Sequence, residues 1–153
     1  MTTLALIPAA YVYLRRRGEV LLQLRQNTGF MDGNWSAGAA GHLETGETAE
    51  RAAQRELSEE LGVTAHKGAL VPVMVMQRTD GTDNPVEQRV DWFFVCDRWT
   101  GQPTIQEPRK CVDLEWFRLD NLPVLLPEHE RVALTSIRER RMPAVRSFGF
   151  RDD

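Results

Sequence analysis

Hydrophobic and polar positions alternate along the chain in a pattern that predicts strands interrupted by two helices. Short runs of aliphatic and aromatic residues bounded by turn formers are typical of strands. A tight turn at Arg17 and Gly18 joins the first two runs into a hairpin, and the polar loop 79–85 joins two later runs into another. Residues 26–40 are rich in turn formers and are predicted to be mainly loop. The predicted strands are 4–14, 19–25, 70–77, 90–97 and 114–119.

Two segments carry apolar residues at helical spacing. In the first, Thr48 is a suitable N-cap and Gly62 suits the left-handed position that ends a helix, which predicts a helix over 49–61. The second predicted helix covers 128–141 and ends in arginines, which are favourable at a helix C-terminus. The remaining tail, 144–153, is short and polar, and we expect it to fray.

Length and composition favour one domain of the α/β class covering 1–153. The chain has 153 residues, of which 42% are hydrophobic, enough for an ordinary core. Its net charge of -3 argues against a nucleic acid polymer as partner, since such binding needs a basic surface. The apolar run 4–14 is too short to span a bilayer and is followed, not preceded, by Arg15, Arg16 and Arg17. We therefore expect no membrane partner and a cytoplasmic location. A homodimer is compatible with the sequence, which does not determine the oligomeric state.

Three glutamates of the first helix suggest a metal site. At 100° per residue, Glu56, Glu59 and Glu60 fall within an arc of roughly 100° on one face. Like charges at this separation repel, and a hard divalent cation would neutralise them. Oxygen ligands favour Mg²⁺ or Mn²⁺, and Mg²⁺ is commonly shared with substrate phosphates. The expected partner is therefore a small phosphate ester.

Segment 41–63 resembles, at every fixed position, the signature of the Nudix hydrolases. That signature reads Gly, five residues, Glu, seven residues, Arg-Glu-apolar, one residue, Glu-Glu, one residue, Gly-apolar. An acidic amphipathic surface helix is the plain structural alternative. The matching residues are Gly41, Glu47, Arg55, Glu56, Leu57, Glu59, Glu60, Gly62 and Val63.

The resemblance implies a fold in which a mixed β-sheet is sandwiched between α-helices. It also implies Mg²⁺-dependent cleavage of a nucleoside diphosphate linked to another group, with Mn²⁺ as an alternative cation. A MutT-type nucleoside triphosphate pyrophosphohydrolase, giving nucleoside monophosphate and pyrophosphate, is the favoured expectation. Nucleoside diphosphate sugars and dinucleotides are the alternative substrates, and a noncatalytic nucleotide-binding regulatory module is a weaker alternative.

The motif residues acquire roles from the same resemblance. Glu56, Glu59 and Glu60 would be metal ligands, joined by the backbone carbonyl of Ala40, although Ala39-Ala40-Gly41 replaces the family's common Pro-Gly-Gly. Arg55 would hold a carboxylate of the site in place, either Glu47 or Glu56. For the general base we rank Glu59 first, Glu56 second and Glu107 third.

Glu107 lies outside the motif. It belongs to the loop 102–108, where the resemblance implies a further acidic metal ligand, and a solvated loop glutamate is the equal alternative. Glu87 and Asp91 are weaker candidates for the same role.

Four further residues are candidates for substrate binding. Arg25 ends the second strand and resembles a family residue that contacts phosphates, although a plain surface arginine is an equal alternative. Phe30 and Asp32 lie in the loop before the motif, where a substrate could contact them. Glu128 could accept a hydrogen bond from a purine edge, but its position at a helix N-terminus explains the acid as well.

Overall fold

A mixed β-sheet forms the centre of the protein, whose residues 2–151 are described by a computed structural model. A π-helical turn, Leu57–Leu61, continues the first helix, and a short 3-10 turn spans Pro85–Glu87. The helices are α1 (Ala49–Glu56) and α2 (Glu128–Glu139). The strands are β1 (Ile7–Arg16), β2 (Glu19–Arg25), β3 (Trp35–Ala37), β4 (Ala39–His42), β5 (Thr64–Ala65), β6 (Leu70–Arg78), β7 (Arg89–Cys96), β8 (Trp99–Thr100), β9 (Cys111–Arg118) and β10 (Val145–Phe148).

Strand β1 connects the two halves of the large sheet. It pairs in parallel with β7 and antiparallel with β2 and β4. Beyond β7 the sheet continues through antiparallel β6 to parallel β10, and β2 pairs antiparallel with both β3 and β9. Strands β5 and β8 form a separate two-stranded sheet. The mixed sheet agrees with the predicted fold class.

The core has two parts because successive residues of a strand point to opposite faces of the sheet. On one face, Val12 and Leu14 of β1 pack with the α1 side of the molecule. On the other, Tyr11 and Tyr13 pack with the α2 side. The sheet therefore lies between the two helices, as predicted.

The predicted helix 49–61 is continuous, but its last turn is π-helical. It ends where expected, since Gly62 adopts a left-handed conformation with φ of 68°. Within residues 2–151, the helices are all too short or too polar to cross a bilayer.

Three expectations about local structure were wrong. Segment 26–40, predicted to be loop, contains β3 and the start of β4, because both pair with longer neighbouring strands. Helix α2 ends at Glu139 and not at 141, since Arg140 turns left-handed with φ of 55°. The tail was expected to fray, yet β10 pairs with β6 along 145–148. Residues 152–153 of that tail lie outside the described chain.

Candidate functional site

Helix α1 begins beside strand β4, and this packing positions the glutamates. The Thr48 side chain caps the helix by accepting a hydrogen bond from the Arg51 amide at 3.1 Å. Ala52 and Ala53 are fully buried against the sheet. Such small side chains allow a helix to lie close to its neighbour, and the carboxylates that follow lie near the backbone of residues 40–41.

Arg55 connects four parts of the site. Its guanidinium donates two hydrogen bonds to the Glu47 carboxylate, at 2.8 and 2.9 Å. Nη1 donates to Glu56 at 2.6 Å and to Glu59 at 3.2 Å, and Nη2 donates to the carbonyl of His42. The sequence offered Glu47 or Glu56 as the partner of Arg55, and the structure contains both contacts. Paired charges and a planar donor set make this arrangement rigid.

Glu60 points away from Arg55 towards β4. Its Oε2 accepts a hydrogen bond from the Ala40 amide at 2.6 Å. Burial, assisted by the charges of Glu56 and Glu107, raises the pKa of Glu60 to about 8. Burial also raises the pKa of Glu56, with Glu59 and Glu107 adding to the effect and Arg55 opposing it. Burial therefore disfavours the charged form of both carboxylates, and for Glu56 the Arg55 guanidinium offsets part of this cost.

Most of the predicted site residues line one surface cavity of about 370 Å³, here called the acidic cavity. The carboxylates on its wall come from both the motif helix and the loop before β9, with Arg25 and Lys110 as the cationic residues. Glu107, uncertain from sequence, is thus brought next to the motif glutamates. The lining residues are Gln23, Arg25, Asn27, Thr28, Ala40, Gly41, Glu56, Glu59, Glu60, Glu107 and Lys110.

Backbone hydrogen bonds attach the Glu107 loop to the motif helix. The amide of Gln106 donates to the carbonyl of Glu60 at 3.2 Å, and the amide of Thr104 donates to the carbonyl of Leu61 at 3.1 Å. The Gln106 side chain lies against Gly62, where a Cβ would be only 2.9 Å from its amide nitrogen. Gly62 therefore both ends the helix and leaves room for this loop.

The donor set of the acidic cavity fits a hard divalent cation. Carboxylate oxygens are the preferred protein ligands of Mg²⁺ and Mn²⁺. The pKa values of Glu56 and Glu60 are raised chiefly by burial and further by neighbouring carboxylates, and a cation would relieve both effects. Across residues 2–151, however, no three acidic, His or Cys side chains converge closely enough to hold an ion as they stand. Glu56 and Glu59 would have to turn from Arg55 to do so, because Nη1 now holds both.

A smaller cavity of about 90 Å³ adjoins the acidic cavity and shares Arg25, Ala40 and Gly41 with it. Phe30 lies on its wall, with the guanidinium carbon of Arg89 5.1 Å from the ring centroid. The backbone oxygen of Phe30 accepts a hydrogen bond from Arg25 at 3.1 Å. We call this the Phe30 cavity.

Glu130 also lines the Phe30 cavity. It is 1% exposed, and its Oε1 accepts hydrogen bonds from the Tyr13 hydroxyl at 2.8 Å and the Ala37 amide at 2.7 Å. Burial raises the pKa of its carboxyl.

The other predicted substrate residues lie elsewhere. Asp32 accepts hydrogen bonds from the Thr28 hydroxyl and from the amides of Thr28 and Gly29, and these donors lower its pKa. It therefore shapes the loop that presents Phe30. Glu128 is exposed, pairs with Arg131 at 3.5 Å and lines a different surface cavity.

The two weaker acidic candidates are also separate from the acidic cavity. Asp91 is fully buried and pairs with Arg78 at 2.7 Å. Glu87 belongs to the 3-10 turn between β6 and β7.

Sequence reasoning missed Lys110 and Glu130. Lys110 lies three residues after Glu107 and pairs with it at 3.5 Å, so the loop assignment could have suggested it. Glu130 resembles an ordinary acid in the first turn of a helix. Its burial depends on contacts with β1 and β3, which no local pattern reveals.

Comparison with known proteins identifies the family of the chain. A family model described as the NUDIX domain matches residues 5–138. The chain belongs to the Nudix family. The contacts described above, from Arg55 with Glu47 to Gly62 with Gln106, are contacts of Nudix signature residues.

Two Nudix relatives illustrate the range of named activities. The oxidized purine nucleoside triphosphate hydrolase of Danio rerio is 33% identical over 109 residues, covering 69% of this chain and 62% of the relative. The NAD-capped RNA hydrolase NudC of Shigella dysenteriae is 31% identical over 118 residues, covering 77% of this chain and 41% of the relative. The chain thus spans less than two thirds of either relative.

Solved structures share the fold. A MutT NUDIX hydrolase from Burkholderia pseudomallei superposes with a TM-score of 0.78 at 28% identity, covering 87% of this chain and 98% of that one. A UDP-X diphosphatase gives a TM-score of 0.70 at 17% identity, covering 95% of this chain and 69% of that one, a likeness of fold alone.

Proposed function

We propose that the protein is a divalent-cation-dependent pyrophosphohydrolase that cleaves a nucleoside diphosphate linked to another group. The favoured substrate is a nucleoside triphosphate, and the products are a nucleoside monophosphate and pyrophosphate. The observation that carries the proposal is the acidic cavity, where Glu56, Glu59, Glu60 and Glu107 lie together with Arg25 and Lys110. Carboxylates and cations on one wall suit a ligand that brings both a metal ion and phosphates.

The metal ligands in this proposal are Glu56, Glu59, Glu60 and Glu107, with the carbonyl of Ala40. When bound, Mg²⁺ or Mn²⁺ would lower the pKa of a water molecule and neutralise charge on the bridging phosphates. Arg55 keeps Glu47 as its own partner throughout, through their two hydrogen bonds. It can therefore release Glu56 and Glu59 without becoming unpaired.

Glu59 is the proposed general base. Its side chain is 51% exposed, whereas that of Glu56 is 11% exposed. A base must reach a water molecule that approaches from solvent, and Glu59 is the more accessible of the two. Arg25 and Lys110 would contact the phosphates, since both are cationic and line the same cavity.

The Phe30 cavity would receive the nucleoside side of the substrate. It adjoins the acidic cavity, and the Phe30 ring offers a face on which a base can stack. Asp32 would support Phe30 by holding its loop. Glu130, which lines this cavity, would contact the base, the role that the sequence suggested for Glu128.

A dinucleotide or another diphosphate-linked nucleotide is the second candidate substrate. The likeness to NudC, an NAD-capped RNA hydrolase by name, favours it, as the likeness to the zebrafish enzyme favours a triphosphate. The acidic cavity suits both kinds of substrate, because in this proposal it contacts only the diphosphate and the metal.

Product analysis on a substrate panel tests the proposal. The panel contains canonical and oxidised nucleoside triphosphates, nucleotide sugars and dinucleotides, each with and without Mg²⁺. Mg²⁺-dependent release of pyrophosphate from triphosphates is the expected result. If monophosphates were released only from nucleotide sugars or dinucleotides, the second candidate substrate would be favoured. Binding without cleavage of any compound would contradict an enzymatic role.

A further inference from the structure

A second large cavity lies at the opposite end of strand β2 from the acidic cavity. Its volume is about 860 Å³, and its wall includes Gly18 and Glu19 at the start of β2. Arg25, at the other end of β2, belongs to the acidic cavity. At the rise of a β-strand, Glu19 and Arg25 are about 20 Å apart, and within residues 2–151 no residue lines both cavities. The second cavity is therefore separate from the proposed catalytic site.

Arginine dominates the wall of this second cavity, although the whole chain has a net charge of -3. Glu19 and Asp120 are the acidic residues on the wall. We call it the arginine cleft. Its arginines are Arg15, Arg17, Arg118, Arg138 and Arg140.

Three of these arginines already have acidic partners. Arg15 pairs with Asp97 at 2.7 Å, as the exposed Arg118 does with Asp120. Arg138 lies 3.5 Å from Glu139. Arg17 and Arg140 make no ion pair within residues 2–151. Their charges are therefore available to an anionic ligand.

The same two arginines have left-handed backbones. Arg17 has φ of 45° and Arg140 has φ of 55°. This conformation costs an ordinary residue roughly 1 kcal/mol, and glycine or asparagine is usual there. Apart from glycines, only Asn27 and Met31 among residues 2–151 share it, and they line the acidic cavity and the Phe30 cavity. Arg17 belongs with Gly18 to the tight turn between β1 and β2, and Arg140 ends α2, so the turn and the helix end account for both conformations. A substitution that tests the charge at these positions must therefore keep a residue that tolerates the left-handed backbone.

The floor of the arginine cleft is apolar. Leu119 and Ile137 are buried beneath it, and Met142 is 45% exposed at its edge. A volume of about 860 Å³ is within the range of small-molecule sites. A matching ligand carries several negative charges and a part that can contact apolar side chains.

We propose that the arginine cleft binds a nucleotide through its phosphate chain, as a ligand site distinct from the acidic cavity. Arg17 and Arg140 contact the phosphates, and Leu119, Ile137 and Met142 contact the base or sugar. This site needs no divalent cation, since arginine itself supplies the positive charge.

Calorimetric titration in EDTA tests this site with ADP and with inorganic tripolyphosphate. The variant Arg17→Asn/Arg140→Asn removes both charges while keeping a residue that tolerates the left-handed backbone. The control Arg51→Gln/Arg98→Gln removes two exposed arginines outside the cleft. It changes the net charge by the same amount, so that only the position of the charges differs.

The proposal predicts saturable binding that weakens roughly tenfold or more in the cleft variant and changes little in the control. It also predicts that the cleft variant melts no lower than wild type, because the backbone cost is relieved. Tighter binding of ADP than of tripolyphosphate would assign the nucleoside to the apolar floor, and equal binding would restrict the site to the phosphate chain. Absence of saturable binding by both ligands, or equal affinities in the cleft variant and wild type, would overturn the proposal.

Discussion

Gly41 lies so close to Glu56 that a side chain at position 41 would overlap the Glu56 carboxylate. The motif glycine is therefore required by space. It lies on β4 at the wall of the acidic cavity, and Glu56 fills the position that a Cβ would occupy. Glu56 is also held from its other side by Arg55 at 2.6 Å. Its carboxylate thus lies between Gly41 and Arg55.

Gly41→Ala should lower turnover because the new methyl group displaces the Glu56 carboxylate. A proposed metal ligand moved by about 1 Å should cost roughly 100-fold in kcat/KM. Stability should change little, since the end of a flexible side chain can move. Gly46→Ala is the control: Gly46 has φ of 81° with open space around it, so alanine there should cost stability and leave turnover near wild type. Wild-type kcat/KM in Gly41→Ala would contradict this role of Glu56.

Arg55→Lys should lower turnover by at least about tenfold, because lysine cannot reproduce the two-bond contact with Glu47 while also reaching Glu56. A double-mutant cycle with Glu47→Gln measures this through kcat. Since both substitutions break the same pair, their effects should be strongly non-additive. Additive effects would mean that Arg55 acts on the site independently of Glu47.

Glu59→Gln and Glu60→Gln should each lower turnover by orders of magnitude, on the order of 10³-fold, while the protein stays folded. Glutamine keeps the shape of each side chain and removes the charge that would bind the cation or accept a proton. Kinetics with saturating Mg²⁺, together with circular dichroism of each variant, provide the measurement. Near-wild-type rates in both variants would refute the assignment of the acidic cavity as the catalytic site.

Glu107→Gln should have a smaller effect than either motif variant, and it should appear mainly as a higher Mg²⁺ concentration at half-maximal rate. Glu107 reaches the cavity from a loop and is 38% exposed, so its contribution to cation binding is more solvated. Glu115→Gln, an exposed acid on β9, serves as the control. An unchanged Mg²⁺ dependence in Glu107→Gln would show that Glu107 is a solvated loop glutamate with no part in cation binding.

His129 should make the protein less stable as the pH falls below 6.5. It is buried, and its Nε2 lies 3.3 Å from the Tyr11 hydroxyl. Burial, with the charges of Arg78 and Arg89, lowers its pKa from 6.5 to about 3. The folded state therefore favours the neutral ring, and the stabilising contribution present above pH 6.5 is lost as the pH falls towards 3.

The loss from His129 should reach about 2 kcal/mol at pH 5. It is measured as the difference in unfolding free energy between wild type and His129→Gln across pH 8 to 5. Using the difference removes the opposite contribution of Glu130, whose pKa is raised by burial. Parallel pH profiles of the two proteins would show that the pKa of His129 is the same in the folded and unfolded states, which would contradict this prediction.

Local signals were sufficient for the motif helix and insufficient for what surrounds it. Thr48 and Gly62 mark its ends because capping depends on neighbours along the chain. The position of Glu107 depends on hydrogen bonds from Gln106 and Thr104 to the end of that helix, which no periodicity encodes. For the same reason the pairing of β10 with β6 was missed, since the partner strand lies far away in the sequence.

The residues of the Phe30 cavity show the same limit. Phe30 and Arg25 were predicted from their places before the motif and at the end of a strand. Glu130 and Arg89 come from α2 and β7, and only the folded sheet brings them to the same cavity. The predicted role of Glu128 came from its position in sequence, but within the same first turn of α2 it is Glu130 that is buried, while Glu128 is exposed.

Direct measurement of cation binding tests the central claim. Mn²⁺ would be titrated into the protein while free Mn²⁺ is followed by electron paramagnetic resonance, for wild type and for Glu56→Gln/Glu60→Gln. The account predicts saturable binding by wild type, competition by Mg²⁺ and loss of binding in the variant. Equal binding by both proteins, or no saturable binding by wild type, would contradict a metal site in the acidic cavity.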